Sequence, residues 1–253
     1  MSDKLQPRGS DETTFAQPLY TPIKRRSFFM YAGATAGASA LVLAGCSDDE
    51  DDNKPALPAG NSMTSNGAIS LGSGDVGVLN YAYALEQLEA DFYSKVAALP
   101  MGILTGVEYT YFQQVSKHEA IHRDFFKAAI TRDAGTQLLR PLTPVYPAGT
   151  FDTRDKILAT AKTFEDLGVA AYNGAGKLLK TPAYLVIAGQ IVSVEARHAA
   201  YIRDLVLPGS FAADDVVNVS LGLDMAMAPT AVIEAAKGFI TEKLDASSVG
   251  VNN

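Results

Sequence analysis

The chain has 253 residues, 47% of them hydrophobic, enough for one or two domains with a sizeable core. A net charge of −7 and a pI near 5.0 leave no excess of cations to neutralise phosphates, which excludes nucleic acid as an expected partner. A single cysteine, with no tryptophan in the chain, excludes an intramolecular disulfide framework.

Residues 1 to about 26 are polar and aperiodic, ending in Lys24-Arg25-Arg26 ahead of Ser27-Phe28-Phe29-Met30 and a Gly/Ala-rich apolar run. Paired arginines before a short, weakly hydrophobic segment resemble a twin-arginine export signal. The run ends in Leu43-Ala44-Gly45-Cys46, which resembles the lipobox of bacterial lipoproteins. At about 18 residues it is near the minimum for a membrane span, but its glycines and terminal cysteine favour cleavage over a permanent anchor. Residues 1–46 are therefore read as a lipoprotein signal peptide. On that reading Cys46 is the lipidation site and not a nucleophile, and the protein is exported, held to a membrane by lipid, and faces the periplasm or the outer surface. Residues 47–74 open with Ser47-Asp48-Asp49-Glu50-Asp51-Asp52 and continue through Pro, Gly, Ser and Asn, the composition of a flexible acidic tether.

Residues 75–253 form the expected folded domain. A first helix is predicted from Asp75, as N-cap, to about Ala98, where Leu99-Pro100-Met101-Gly102 breaks it. Thr105-Gly106-Val107-Glu108 reads as a capping box opening a second helix to Asp133–Gly135. The Pro-rich stretch from Leu138 to Asp152 is too long for a tight hairpin. A third helix follows, capped by Asp152 or Thr153 and running to about Lys180. Thr181-Pro182 supplies a cap and a first-turn proline for a fourth, ending near Pro208. A shorter helix is predicted from Thr230 to Ile240, with a frayed tail. Short, long and short connections predict an all-α four-helix bundle with one long crossover between helices 2 and 3 and a short C-terminal helix.

Positions three and four apart share a helix face. The first helix then offers the seam Ala82, Glu86, Glu89, Tyr93 and Val96, and the second Phe112, Val115, Glu119, His122, Phe126 and Ala129. The third offers Leu158, Ala161, Glu165, Gly168, Tyr172 and Ala175, and the fourth Ala188, Ile191, Glu195, His198, Ile202 and Leu205. Glutamates and histidines thus fall inside stripes that should face the core, where an unpaired charge is costly. The order Glu, Glu-x-x-His, Glu, Glu-x-x-His supplies four carboxylates and two imidazoles, a set that suits two divalent metal ions. All three histidines, His118 included, lie in or beside the two Glu-x-x-His units, with His118 one position off the seam. Glu86 and Glu165 are 79 residues apart and Glu119 and Glu195 are 76 apart, so the two helical hairpins read as an internal duplication that also matches Tyr93 to Tyr172.

On these motifs the chain resembles the ferritin-like carboxylate dimetal proteins, and within them the exported, desiccation-related branch. The resemblance runs from about Val76 to Leu207, with Pro229 to Ile240 also similar to that branch. It implies Glu86 and Glu165 as single-carboxylate ligands, Glu119 and Glu195 as bridging carboxylates, and His122 and His198 as terminal ligands. The cofactor implied is two Fe or Mn ions. Hard carboxylate oxygens suit either metal in both redox states, and imidazole tunes the potential. Glu89, Tyr93 and Tyr172 are expected as an extra ligand or as groups bonded to ligands. The pattern departs from the enzyme-rich members in two respects: no aspartate directly precedes either Glu-x-x-His unit, so another residue orients the ligand histidine or catalysis is weaker, and there is no rubredoxin-like cysteine set to deliver electrons. The implied activity is oxidation of Fe(II) with O2 or peroxide, or removal of peroxide. The alternative is a non-catalytic metal-binding or structural stress-related lipoprotein. Expected partners are metal ions, O2 or peroxide, and a membrane through Cys46, with a homodimer left open.

Overall fold

The computed structural model describes residues 62–251. The proposed signal peptide, the lipidation site Cys46 and the acidic run lie outside the described residues. The described chain is an all-α bundle built from α1 (Gly74–Ala97), α2 (Gly106–Ala134), α3 (Arg154–Gly176) and α4 (Pro182–Val206), with α5 (Pro229–Ala236) beyond it. Helix α1 packs along α2 and α3 along α4, and α1 also meets α3. The short connections close two hairpins, and the segment 135–153 carries the chain from one to the other. No helix among the described residues is long and apolar enough to cross a membrane.

Local signals set most of these bounds. Helix α2 begins with a complete capping box: the Thr105 hydroxyl accepts from the Glu108 N–H, and the Glu108 carboxylate accepts from the Thr105 N–H at 2.8 Å. The Glu108 carboxylate also takes the Arg154 guanidinium at 2.7 Å, tying the start of α2 to that of α3. Thr153 caps α3 through the Lys156 N–H, and Pro182 opens α4 behind Thr181. Asp75, expected to cap α1, does something else. Ser73 holds the N-cap position, while the Asp75 carboxylate accepts from the Lys180 and Thr181 N–H groups at 2.7 and 2.8 Å. It thereby terminates the α3–α4 turn, and α3 stops at Gly176, short of the expected Lys180.

Both ends of the described chain differ from expectation in the same way. Residues 69–71, assigned to the tether, belong to the fold: β1 (Ile69–Ser70) pairs in parallel with β4 (Leu244–Asp245), and Ile69 and Leu71 are buried. The tail is not frayed, because Ala246 and Val249 are buried in the same cluster as Ile69 and Leu71. Pairings of two residues carry no hydrophobic period, so neither strand was visible as one. The loop after α4 holds an antiparallel pair, β2 (Val217–Asn218) with β3 (Leu223–Asp224), and returns to the bundle where the Met227 N–H bonds to the Ala170 carbonyl. Gly174 permits that approach, since a Cβ there would lie 1.7 Å from the Met227 carbonyl oxygen.

The apolar core has two parts. One contains Val78, Tyr81, Leu85, Phe126, Ala171 and Ile191, and the other Leu88, Phe92, Tyr93, Phe112, Phe164 and Ile202. Along every bundle helix the predicted ligands (Glu86, Glu119, His122, Glu165, Glu195 and His198) fall between the two.

Candidate metal centre

The four seams converge as helical periodicity requires. Every seam residue is buried except Tyr172, Ala188 and Leu205, which are half-buried. Glu86, Glu119, Glu165 and Glu195 are fully excluded from solvent, and His122 and His198 nearly so. The six predicted ligands form two groups, Glu86, Glu119, His122 and Glu195, and Glu119, Glu165, Glu195 and His198. Within each group one donor atom per residue lies within 4.8 Å of all the others. Glu119 and Glu195 belong to both.

The two halves repeat each other in detail. The His122 Nδ1 faces carboxylate oxygens of Glu195 at 2.7 Å, Glu119 at 3.3 Å and Glu86 at 3.7 Å. The His198 Nδ1 faces Glu119 at 3.0 Å, Glu195 at 3.5 Å and Glu165 at 3.6 Å. Donors about 2.1 Å from a common octahedral ion sit about 3 Å from one another, so these spacings are those of a ligand shell. Oxygens of Glu86, Glu119, Glu165 and Glu195, and the His198 Nδ1, are buried and lack well-directed hydrogen bonds, although the carboxylates and imidazoles crowd one another. Leaving such groups unpaired costs several kcal/mol each, roughly, and a cation removes that cost. The residues present therefore fit metal ions.

Electrostatics agree. Burial, then the Glu195 and Glu119 charges, pushes the Glu86 carboxyl well above the usual range. Burial lifts Glu165 to about 8, against the pull of His198. Burial also opposes ionisation of Glu195, but the close approach of His122 and His198 holds it down to about 2. Both imidazoles are driven the other way. Burial disfavours their charge, yet the surrounding glutamates raise His122 to about 11 and His198 to about 12. Without metal, the pocket draws positive charge from its own histidines.

The tyrosines bond crosswise. Tyr93, on the Glu86 helix, donates to the Glu165 carboxylate at 2.5 Å, and Tyr172, on the Glu165 helix, donates to Glu86. Each locks a ligand on the opposite hairpin. Glu89 is buried beside the cluster, but it lies outside both four-residue groups and accepts no hydrogen bond among the described residues. Burial, then Glu195 and Glu119, raises its carboxyl well above the ordinary value. Gly168, its counterpart in the duplication, gives it room, for a Cβ there would lie 3.0 Å from the Glu89 Oε1.

His118, one position off the seam, stands at the surface and beside a predicted ligand at once. The exposed His118 stacks on His198, with centroids 5.2 Å apart and planes at 8°, and its Nδ1 is 3.0 Å from the His198 Nε2. The residue directly before Glu119 thus contacts the outer nitrogen of a predicted ligand histidine, at the position where this chain has no aspartate. At the matched position before Glu195 stands Val194, which has no polar group, and no described residue bonds the His122 Nε2. The signal was the position itself: a polar side chain directly before one Glu-x-x-His unit and an apolar one before the other.

A family model for the ferritin-like domain matches residues 74–208, from the start of α1 to just past the end of α4. No curated protein gives a significant match to the sequence. The matched segment covers more than half of the chain and contains all six clustered side chains, and the protein belongs to the ferritin-like domain family.

Proposed function

We propose that this domain binds two Fe or Mn ions and acts as an exported oxidoreductase, oxidising Fe(II) with O2 or peroxide, or removing peroxide. The observation that carries the reading is the sharing of Glu119 and Glu195 between two otherwise separate ligand groups. Shared carboxylates hold two ions about 3.5–4 Å apart. When bound, such a pair supplies two electrons at one place, one from each metal. Reduction of dioxygen to hydrogen peroxide takes those two electrons and two protons, and reduction of peroxide to water takes the same.

The chain's own residues set the conditions. Four carboxylates balance the charge of two divalent ions, so the loaded pocket is neutral in a core that tolerates no net charge. His122 and His198 would give up protons on binding metal, and Tyr93 and Tyr172 hold one oxygen each of Glu165 and Glu86. The apolar layers on either side exclude bulk water. Membership of the desiccation-related branch, on the resemblance over about 76–207 and 229–240, and twin-arginine export with lipidation at Cys46, on the motifs in residues 24–46, complete the proposal.

Anaerobic titration with Fe(II), followed by oxygen, tests it. Two ions should bind and then give an oxo-bridged chromophore, and Glu119→Ala or His198→Ala should lose metal. Two ions bound without oxidation would leave a metal-binding stress protein, and no stoichiometric binding would end the dimetal reading. Replacing Arg25 and Arg26 by lysines should block export.

A further inference from the structure

The duplication provides an internal control for how each side of the ligand cluster is packed. The offset of 79 relates α1 to α3 and the offset of 76 relates α2 to α4, which exchanges the two apolar layers. In one layer stand Phe92, Val96 and Phe112, all fully buried. Their counterparts in the other layer are Ala171, Ala175 and Ala188. Where those three alanines stand there is a cavity, and they line it together with Tyr172. The centre of a water-sized molecule can range over about 20 Å³ there. That is room for one or two small molecules.

The matched tyrosines report the consequence. Tyr93 is wholly buried, with Phe92 edge-on at 5.1 Å and Phe112 at 5.9 Å. Tyr172 is half-buried, forms part of the cavity wall, and donates to Glu86. A molecule in the cavity is separated from a predicted ligand by one side chain. The walls are aliphatic and aromatic side chains of all four bundle helices, and such cavities hold apolar molecules in preference to water. A smaller recess of about 10 Å³ beside Glu89 and Gly168 is also apolar, lined by Leu85, Leu88, Phe164 and Leu167, but has half the room.

We infer that the cavity lined by Ala171, Ala175, Ala188 and Tyr172 is a binding site for dioxygen, from which the gas reaches the ligand cluster on the Tyr172 side. The inference rests on the dimetal reading for its use, but the site itself does not depend on metal. Its size suits a diatomic, and its walls are mainly aliphatic and aromatic carbon, with the Tyr172 hydroxyl already engaged by Glu86. The closed layer shows which residues would fill the same space.

The test uses xenon as the probe, on metal-free and metal-loaded protein. Xenon under pressure should occupy the cavity of the unaltered chain and be excluded by Ala188→Phe or the gentler Ala175→Val, each copying the closed layer. Both variants should still bind two metals and lose oxidation by dioxygen about tenfold or more, as closing a gate does. Oxidation by ferricyanide, which needs no entry, should be unchanged. If the unaltered protein takes up no xenon, or if plugged variants loaded with metal react with dioxygen at the original rate, the inference is overturned. Xenon uptake by a protein that binds no metal would instead sink the dimetal reading and leave the gas site standing. Should Ala188→Phe fail to fold, Ala175→Val and the unaltered chain still decide the matter.

Discussion

His118 makes the two halves of the metal centre unequal. A ligand imidazole whose outer nitrogen is bonded is held in one tautomer and one orientation, and losing such a partner costs roughly 10–100-fold in metal affinity. His198 has that partner at 3.0 Å, while Val194 leaves His122 without one. His118→Ala should therefore weaken one of two bound ions by roughly tenfold and leave the other nearly unchanged. His118→Asn, which keeps an acceptor oxygen, should restore part of the loss. Anaerobic Co(II) titration followed by visible absorption distinguishes the two ions. Equal weakening of both, or none, would show that the stack of His118 on His198 is only packing.

At the scale of elements, the centre was legible because its grammar is local. A Glu-x-x-His unit places both side chains on one face within a single turn, and Glu119 with His122 and Glu195 with His198 needed only helices to become adjacent. The capping box at Thr105 and Glu108 was legible for the same reason. What could not be read was pairing at a distance. The crosswise bonds from Tyr93 to Glu165 and Tyr172 to Glu86, the diversion of Asp75 to the α3–α4 turn, and the β1–β4 pair each join residues with no shared period. The docking of the loop after α4 is of this kind too, and Gly174 carries it. In an isolated helix alanine is worth about 1 kcal/mol more than glycine. Here a Cβ would collide with the Met227 backbone, which cannot rotate away as a side chain can. Gly174→Ala should then destabilise the domain by about 1–3 kcal/mol, measured by urea unfolding, despite its better propensity. It should also release the Met227 N–H from Ala170 and expose the 209–228 loop to protease. A more stable variant would mean that the loop contributes nothing to the bundle.

For the molecule as a whole, the cluster couples stability to pH in opposite directions with and without metal. In the metal-free chain Glu165 keeps its proton up to about 8 instead of 4.5, and His122 and His198 keep theirs to about 11 and 12 instead of 6.5. The folded state therefore binds more protons than the unfolded state above pH 4.5, and stability falls as pH rises through that region. Glu195, held at about 2, acts the other way, and its contribution is lost only as acid takes the pH below 4.5. Metal reverses the main trend, because it binds imidazoles that have lost their protons and so gains affinity as pH rises. Bound metal adds to stability in proportion to the logarithm of its concentration relative to its dissociation constant. The melting temperature of chelator-stripped protein should thus fall from about pH 6 to about pH 9, while that of the loaded protein holds or rises. Calorimetric titrations in two buffers of different ionisation enthalpy should show protons released as metal binds. A stripped domain whose melting temperature is flat or rising over that range would mean that the pocket does not hold its histidines charged.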